Sequence, residues 1–168
     1  MPVISSTKSP EDLTLTITAE FAADTARVWQ LWSDPRQLER WWGPPTWPAT
    51  FTQHDFVVGG KAGYFMTGPA GEKSSGWWRF LAIEKPSRLE FEDGFADEKG
   101  EPDTSMGPAE IVVRIEDAAE RSRMTIVSRF PTVEVMEQMI DMGMEEGMKL
   151  ALGQADAILA DSTLAIRP

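Results

Sequence analysis

One histidine, one tyrosine and no cysteine restrict the side-chain chemistry open to this 168-residue chain. His54 alone cannot build a histidine cluster around a metal or supply two imidazoles for acid–base work. Asp55 beside it projects from the opposite face if the segment is a strand, so no adjacent His–Asp dyad forms. A lone strand histidine is more often structural or exposed than catalytic, useful as the imidazole is as an acid or base. Ser128 shares a strand parity with Met124, Ile126 and Phe130, and nothing in the sequence places a base to activate it. Glu90, Glu92, Glu110 and Glu116 fall on the outward parity and read as solvated sheet surface. The GGK at 59–61 and the GPAGE at 68–72 precede no helix and are hairpin glycines, not phosphate loops. The absence of cysteine excludes disulfides, thiolate nucleophiles and thiolate-held zinc. No metal or other cofactor is expected.

Two polar residues and an aromatic load remain. Arg79 shares parity with Trp77, Leu81 and Ile83; on a buried face it would demand an anion or hydrogen-bonding partner. The opposite parity, with Trp78 and Phe80 inward and Arg79 on the surface, fits equally well because both faces carry aromatics. Tyr64 can offer its hydroxyl to a ligand within an apolar pocket. Seven tryptophans and eight phenylalanines can wall a cavity without filling it. Trp41 and Trp42 either gate the mouth of such a cavity or, the stronger reading, seal short helices onto a sheet.

The elements that must position these residues follow from periodicity. Residues up to about Glu11 are polar and read as a loose end. Leu15, Ile17, Ala19 and Phe21 then alternate with threonines as a half-buried strand. Asp24 caps a short helix bearing Val28, Trp29, Leu31 and Trp32, and Asp34-Pro35 opens a second bearing Leu38, Trp41 and Trp42. Pro44, Pro45 and Pro48 end it. Strands follow near 49–57, 62–67, 76–83, 88–95, 109–115 and 124–130, with a loop at 96–108. Pro131 to Ala160 reads as one long helix with Val133, Met136, Ile140, Met144, Met148, Ala151, Ala155 and Ile158 on a face. Gly143 and Gly147 inside it each cost roughly 1 kcal/mol relative to Ala. They mark either close helix–sheet packing or space left for a ligand beside adaptable methionines. The tail from Asp161 reads as untethered.

Segregated strands and helices imply an α+β domain: a curved antiparallel sheet of about seven strands covered by the C-terminal helix. A formal net charge of -11 argues against a nucleic-acid footprint and against an anionic membrane surface. There is no apolar leader at the N-terminus, and no run approaches the roughly 20 residues of a membrane span. A single cytoplasmic domain over 1–168, with its core at 13–160 and loose ends at 1–11 and 161–168, is the expectation.

The segments AADTARVWQLWSDPRQLERWWGP, DFVVGGKAGYFM with GPAGE, GWWRFLAIEKPSRLEFEDGF, and SRF through DMGMEEGMKLALGQADAILA span nearly the whole chain. In this order they resemble the activator of heat-shock-protein-ninety ATPase homologue family, within the START-like (Bet v 1-like, polyketide cyclase) group. The resemblance implies a helix-grip fold, a sheet wrapped on a long helix with a cavity between. Members of the group include lipid carriers, polyketide cyclases or aromatases, and a co-chaperone domain. The expected pocket comprises Trp41, Tyr64, Met66, Trp77, Arg79, Phe91, Met144, Gly147, Met148 and Ala151. A small hydrophobic or aromatic ligand is the leading expectation for it. A cyclase-like enzyme using Arg79, Tyr64 and His54 is the alternative, and a protein-interaction module with a chaperone partner is the third.

Overall fold

The computed structural model describes residues 3–105 and 107–161. The threonine-alternating segment forms β2 (Thr14–Phe21), with Leu15, Ile17, Ala19 and Phe21 buried on one face. It runs between β1 (Val3–Ser9) and β9 (Arg121–Arg129), antiparallel to both. β1 corrects the expectation of a loose N-terminal end. Its VISSTKS sequence has no continuous dry face, so period-two patterning cannot reveal it; backbone pairing with β2 and a link to the C-terminal helix hold it. Ser6 Oγ donates to Glu145, and Lys8 Nζ lies 3.3 Å from the same carboxylate.

Six further strands complete the sheet with β1, β2 and β9: β3 (Ala49–His54), β4 (Lys61–Thr67), β5 (Lys73–Glu84), β6 (Arg88–Ala96), β7 (Pro102–Asp103) and β8 (Ala109–Ala118). Their order is β1-β2-β9-β8-β6-β5-β4-β3, all antiparallel, with the two-residue β7 pairing beside β6. The count exceeds the expected seven by β1 and by β7, which lies within the segment read as loop. Asp24 caps α1 (Thr25–Ser33) by accepting from Arg27 N, and Asp34 caps α2 (Pro35–Trp41) by accepting from Arg36 N, with Pro35 in the first turn. This is the antiparallel α+β helix-grip architecture expected.

The C-terminal segment is two helices, not one. α3 (Val133–Asp141) starts at Thr132, whose hydroxyl accepts from Val135 N at 3.1 Å, and α4 (Met144–Ala160) starts at Gly143. Gly143 sits at φ 92, the left-handed region, where a side chain costs about 1–2 kcal/mol. Periodicity continues across this break because the residues on both sides face the same cavity. α4 buries Ala151, Leu152, Ala155 and Ile158, packing on α1, α2, β1 and β2. Gln154 Nε2 donates to Gly43 O at 2.6 Å, fastening the chain just after α2. The tail read as untethered lies, from residue 162 onward, outside the described residues. No helix among the described residues is long and apolar enough to cross a membrane.

The two glycines should therefore respond oppositely. Gly147 has a helical backbone, and a Cβ there would meet only Pro44 Cγ at 3.9 Å. Gly147→Ala should gain up to about 1 kcal/mol from helix propensity, and Gly143→Ala should lose about 1 kcal/mol from its left-handed backbone. Urea denaturation of both variants checks this; equal losses would contradict the helix break.

Candidate functional site

A cavity of about 390 Å³ opens between α3–α4 and one end of the sheet. Its walls are largely apolar: Trp42, Pro44 and Trp47 from the segment following α2, Met66 on β4, Phe95 on β6 and Phe130 after β9. Val135, Met139 and Met142 at α3, with Met144, Gly147 and Met148 of α4, close the opposite side.

The polar group in this lining is built by strand parity and one glycine. On β4, Ala62, Tyr64 and Met66 share a parity, and Tyr64 and Met66 reach the cavity. Tyr64 pairs across the ladder with the buried Gly76. A Cβ on Gly76 would fall 2.4 Å from both Cζ and Oη of the tyrosine, so only glycine lets the ring lie across β5. Phe51 stacks on the ring with centroids 5.0 Å apart. So held, the Tyr64 hydroxyl donates to Asp93 Oδ1 at 2.9 Å. Asp93 follows Leu89 and Phe91 on the inward parity of β6.

Burial dominates the electrostatics of the pair. Loss of water pushes the Asp93 carboxyl up from 3.8 to about 7, opposed by the hydrogen bond from Tyr64 and by the nearby Trp78 N–H dipole. Burial, and then the adjacent Asp93 charge, push the Tyr64 hydroxyl well above its ordinary range. The indole N–H groups of Trp42 and Trp78 favour the ionised forms around this pair. Neither attains hydrogen-bond geometry, and both Nε1 atoms are buried without a partner among the described residues. A carboxyl balanced near neutrality beside a phenol, under apolar walls, can exchange a proton or orient a polar group of a ligand.

Of the expected pocket residues, Tyr64, Met66, Met144, Gly147 and Met148 line the cavity. Trp41, Phe91 and Ala151 are instead core residues behind it. Trp41 donates to Leu31 O at 3.0 Å, Phe91 stacks on Trp78 at 4.2 Å, and Ala151 is fully packed. Trp77 and Arg79 are corrected to the outer face, because Trp78 and Phe80 hold the inward parity of β5. Trp77 lies over Gly94, where a Cβ would sit 2.6 Å from its Nε1, and Arg79 is exposed. His54 is away from the cavity lining, its ring parallel to Phe56 at 5.3 Å. Its Nε2 is 3.1 Å from Trp32 O, so the neutral ring carries its proton there, and burial lowers its pKa. Sequence reasoning missed Asp93, and it raised Trp42 as a gate of the cavity mouth but left it out of the expected pocket. Extending the Leu89–Phe91 alternation by one step would have found the aspartate.

The sheet, the short helix pair and the gripping C-terminal helices define a START-like, polyketide cyclase-type fold. The profile of the activator of Hsp90 ATPase homolog 1-like protein family matches residues 22–160, and the chain belongs to this family. A protein of Arthrobacter aurescens, solved by NMR, is 55% identical with a TM-score of 0.91, over 98% of this chain and 96% of that one. A Mycobacterium smegmatis protein, solved by crystallography, is 45% identical with a TM-score of 0.88, over 94% and 97% of the two chains. A Staphylococcus epidermidis protein solved by NMR is 28% identical with a TM-score of 0.81, over 98% of each chain. No curated protein matches the chain.

The Asp93 shift has a stability consequence. A carboxyl raised from 3.8 to about 7 holds its proton more tightly when folded than when unfolded. Stability must therefore fall as pH rises between those values and level off above them. Asp93→Asn, neutral throughout and still able to accept from Tyr64, removes this dependence. Relative to wild type it should gain about 1–3 kcal/mol between about pH 4.5 and 8, below the full linkage value because Asp93 partly faces the cavity. Parallel denaturation series across that range check it, and a constant difference would refute the desolvation of Asp93.

Proposed function

We propose that this protein binds a small hydrophobic molecule in the cavity between the sheet and α3–α4. The observation that carries the reading is the cavity itself. Its volume of about 390 Å³ falls in the range of about 300–1,000 Å³ typical of ligand sites. Four methionines on its helical side, Met139, Met142, Met144 and Met148, can adapt to different shapes. The strongly acidic chain supports a neutral or aromatic ligand over a polyanion. A cytoplasmic setting is part of the same reading.

A second reading, a cyclase- or aromatase-like enzyme, is favoured by one observation: the Asp93–Tyr64 pair provides an acid–base group inside the cavity. His54 and Arg79, two of the three residues first assigned to that role, lie outside it, so the chemistry would fall on Tyr64 and Asp93. The co-chaperone reading draws only on the family description.

Titration with fatty acids and polycyclic aromatics, followed by tryptophan fluorescence and thermal melting, tests the binding reading. A ligand at a hundred times its Kd should stabilise the fold by about 2.7 kcal/mol. Gly147→Leu, which places a branched side chain at the cavity wall, should weaken binding about tenfold or more with the fold intact. No response to any compound, or undiminished binding by the leucine variant, would overturn the reading.

A further inference from the structure

The polar end of the cavity restricts the ligand further, and the argument rests on the binding reading above. The groups available there are specific. Tyr64 commits its proton to Asp93 Oδ1, and no other hydrogen bond of defined geometry reaches that carboxyl among the described residues. Asp93 thus retains acceptor capacity toward the cavity that it lines. Trp42, only 6% exposed and also lining the cavity, carries a buried N–H with no acceptor. Its indole stands edge-on to Tyr64, with ring centroids 6.4 Å apart and planes at 88°, and its N–H acts on the tyrosine hydroxyl. Of the two unpartnered indole donors beside Tyr64, Trp42 lines the cavity and Trp78 does not, so Trp42 and the under-used acceptor Asp93 are the pair open to a ligand. A buried donor left without a partner is costly, so a ligand that satisfies it gains selectively.

Few functional groups match both. A ligand carboxylate accepts from Trp42 but meets the Asp93 carboxylate with like charge. An ammonium satisfies Asp93 but points hydrogens at the indole N–H. A ketone or ether accepts from Trp42 and offers Asp93 nothing when that group is ionised. A hydroxyl does both, accepting from Nε1–H and donating to the carboxylate. The surrounding Trp42, Trp47, Phe95 and Phe130 favour a flat aromatic body. We propose that the cavity selects aromatic molecules bearing a phenolic hydroxyl, which accepts from Trp42 Nε1–H and donates to Asp93 while Tyr64 holds that carboxyl in place.

Four probes of one shape separate the possibilities by isothermal titration calorimetry at about pH 8, where Asp93 is mostly ionised: naphthalene, 2-naphthol, 2-methoxynaphthalene and 2-naphthoate. 2-Naphthol should bind about tenfold more tightly than its methyl ether or naphthalene, with the naphthoate weakest of the four. Trp42→Phe and Asp93→Ala, each checked for folding by circular dichroism, should bring the ratio of naphthol to methyl-ether affinity close to one. If wild type binds naphthalene, 2-methoxynaphthalene and 2-naphthol equally, the hydroxyl assignment fails while the cavity reading stands. If the preference survives in the folded variants, Trp42 and Asp93 are not the selecting groups. Should Trp42→Phe misfold, the aspartate variant decides alone. If no probe binds, the cavity reading fails and this inference fails with it.

Discussion

Trp78 stacked on Phe91, with centroids 4.2 Å apart, fixes which face of β5 and β6 is the inside. Phe80 pairs with Phe91 and Trp78 with Asp93 across the ladder, so aromatics from both strands share a single buried layer. Everything chemically distinctive follows from that register. Asp93 continues the inward row and reaches the cavity, while Arg79 and Trp77 must lie outside. A slip of one residue would exchange these sets completely, since strand side chains alternate faces. It would bury a guanidinium and expose Trp78, a substitution that the aromatic layer makes prohibitive. Trp32 and Trp42 contact the same layer from the helical side, at 6.1 and 4.9 Å from Trp78, so the short helices lock the choice.

The cavity lies where this dense packing gives way. Around Trp32, Trp41 and Trp78 the aromatics fill the space between helices and sheet, and the three are essentially inaccessible. Farther along, the helical side is furnished by methionines and by Gly147, and the sheet side by Ser74, Ser75 and Gly94. There, small and flexible residues stand among the rings of Trp42, Trp47, Phe95 and Phe130, leaving space that the side chains do not fill. The break at Gly143 contributes: it ends α3 before α4 begins, and Val135, Met139 and Met142 border the opening. α3 buries only Met136 among its nine residues, whereas α4 is anchored by four buried side chains. Of the two helices, α4 is the structural one and α3 belongs to the cavity.

Much of this was legible in the sequence wherever a residue had one wet side. The threonine-alternating β2, the Asp24 and Asp34 caps and the methionine face declared themselves through period and cap chemistry. β1 did not, because its hold on the sheet is backbone pairing at an edge, with no row of buried side chains to read. The Arg79 question could not be resolved from β5 alone, since aromatics occupy both of its faces. Trp77 on the outer one is accommodated by Gly94 on the neighbouring strand. The helix break was hidden because Gly143 adopts a positive φ that only the backbone reveals. For the site, side chains were identified where they lay on a clear parity, as with Tyr64 and Met148. Trp41 was chosen over Trp42, although consecutive residues on a helix face different directions and only one could reach the cavity.

Family membership establishes a fold that carries many activities, so what distinguishes this chain has to be sought in its own residues. The cavity's polar end carries a cost. A chain seeking only stability would place an apolar residue beside Phe91, yet position 93 is an acid whose ionisation is opposed by its surroundings. Gly76, which yields strand propensity and a side chain, is present so that Tyr64 can reach that acid. Trp42 adds a donor that the protein itself does not use. Three departures from good packing converge on one small volume at the end of an otherwise efficient core. Local rules broken together at one point are expected at functional or strained sites, and the proposed recognition of a polar group on an apolar molecule accounts for all three at once.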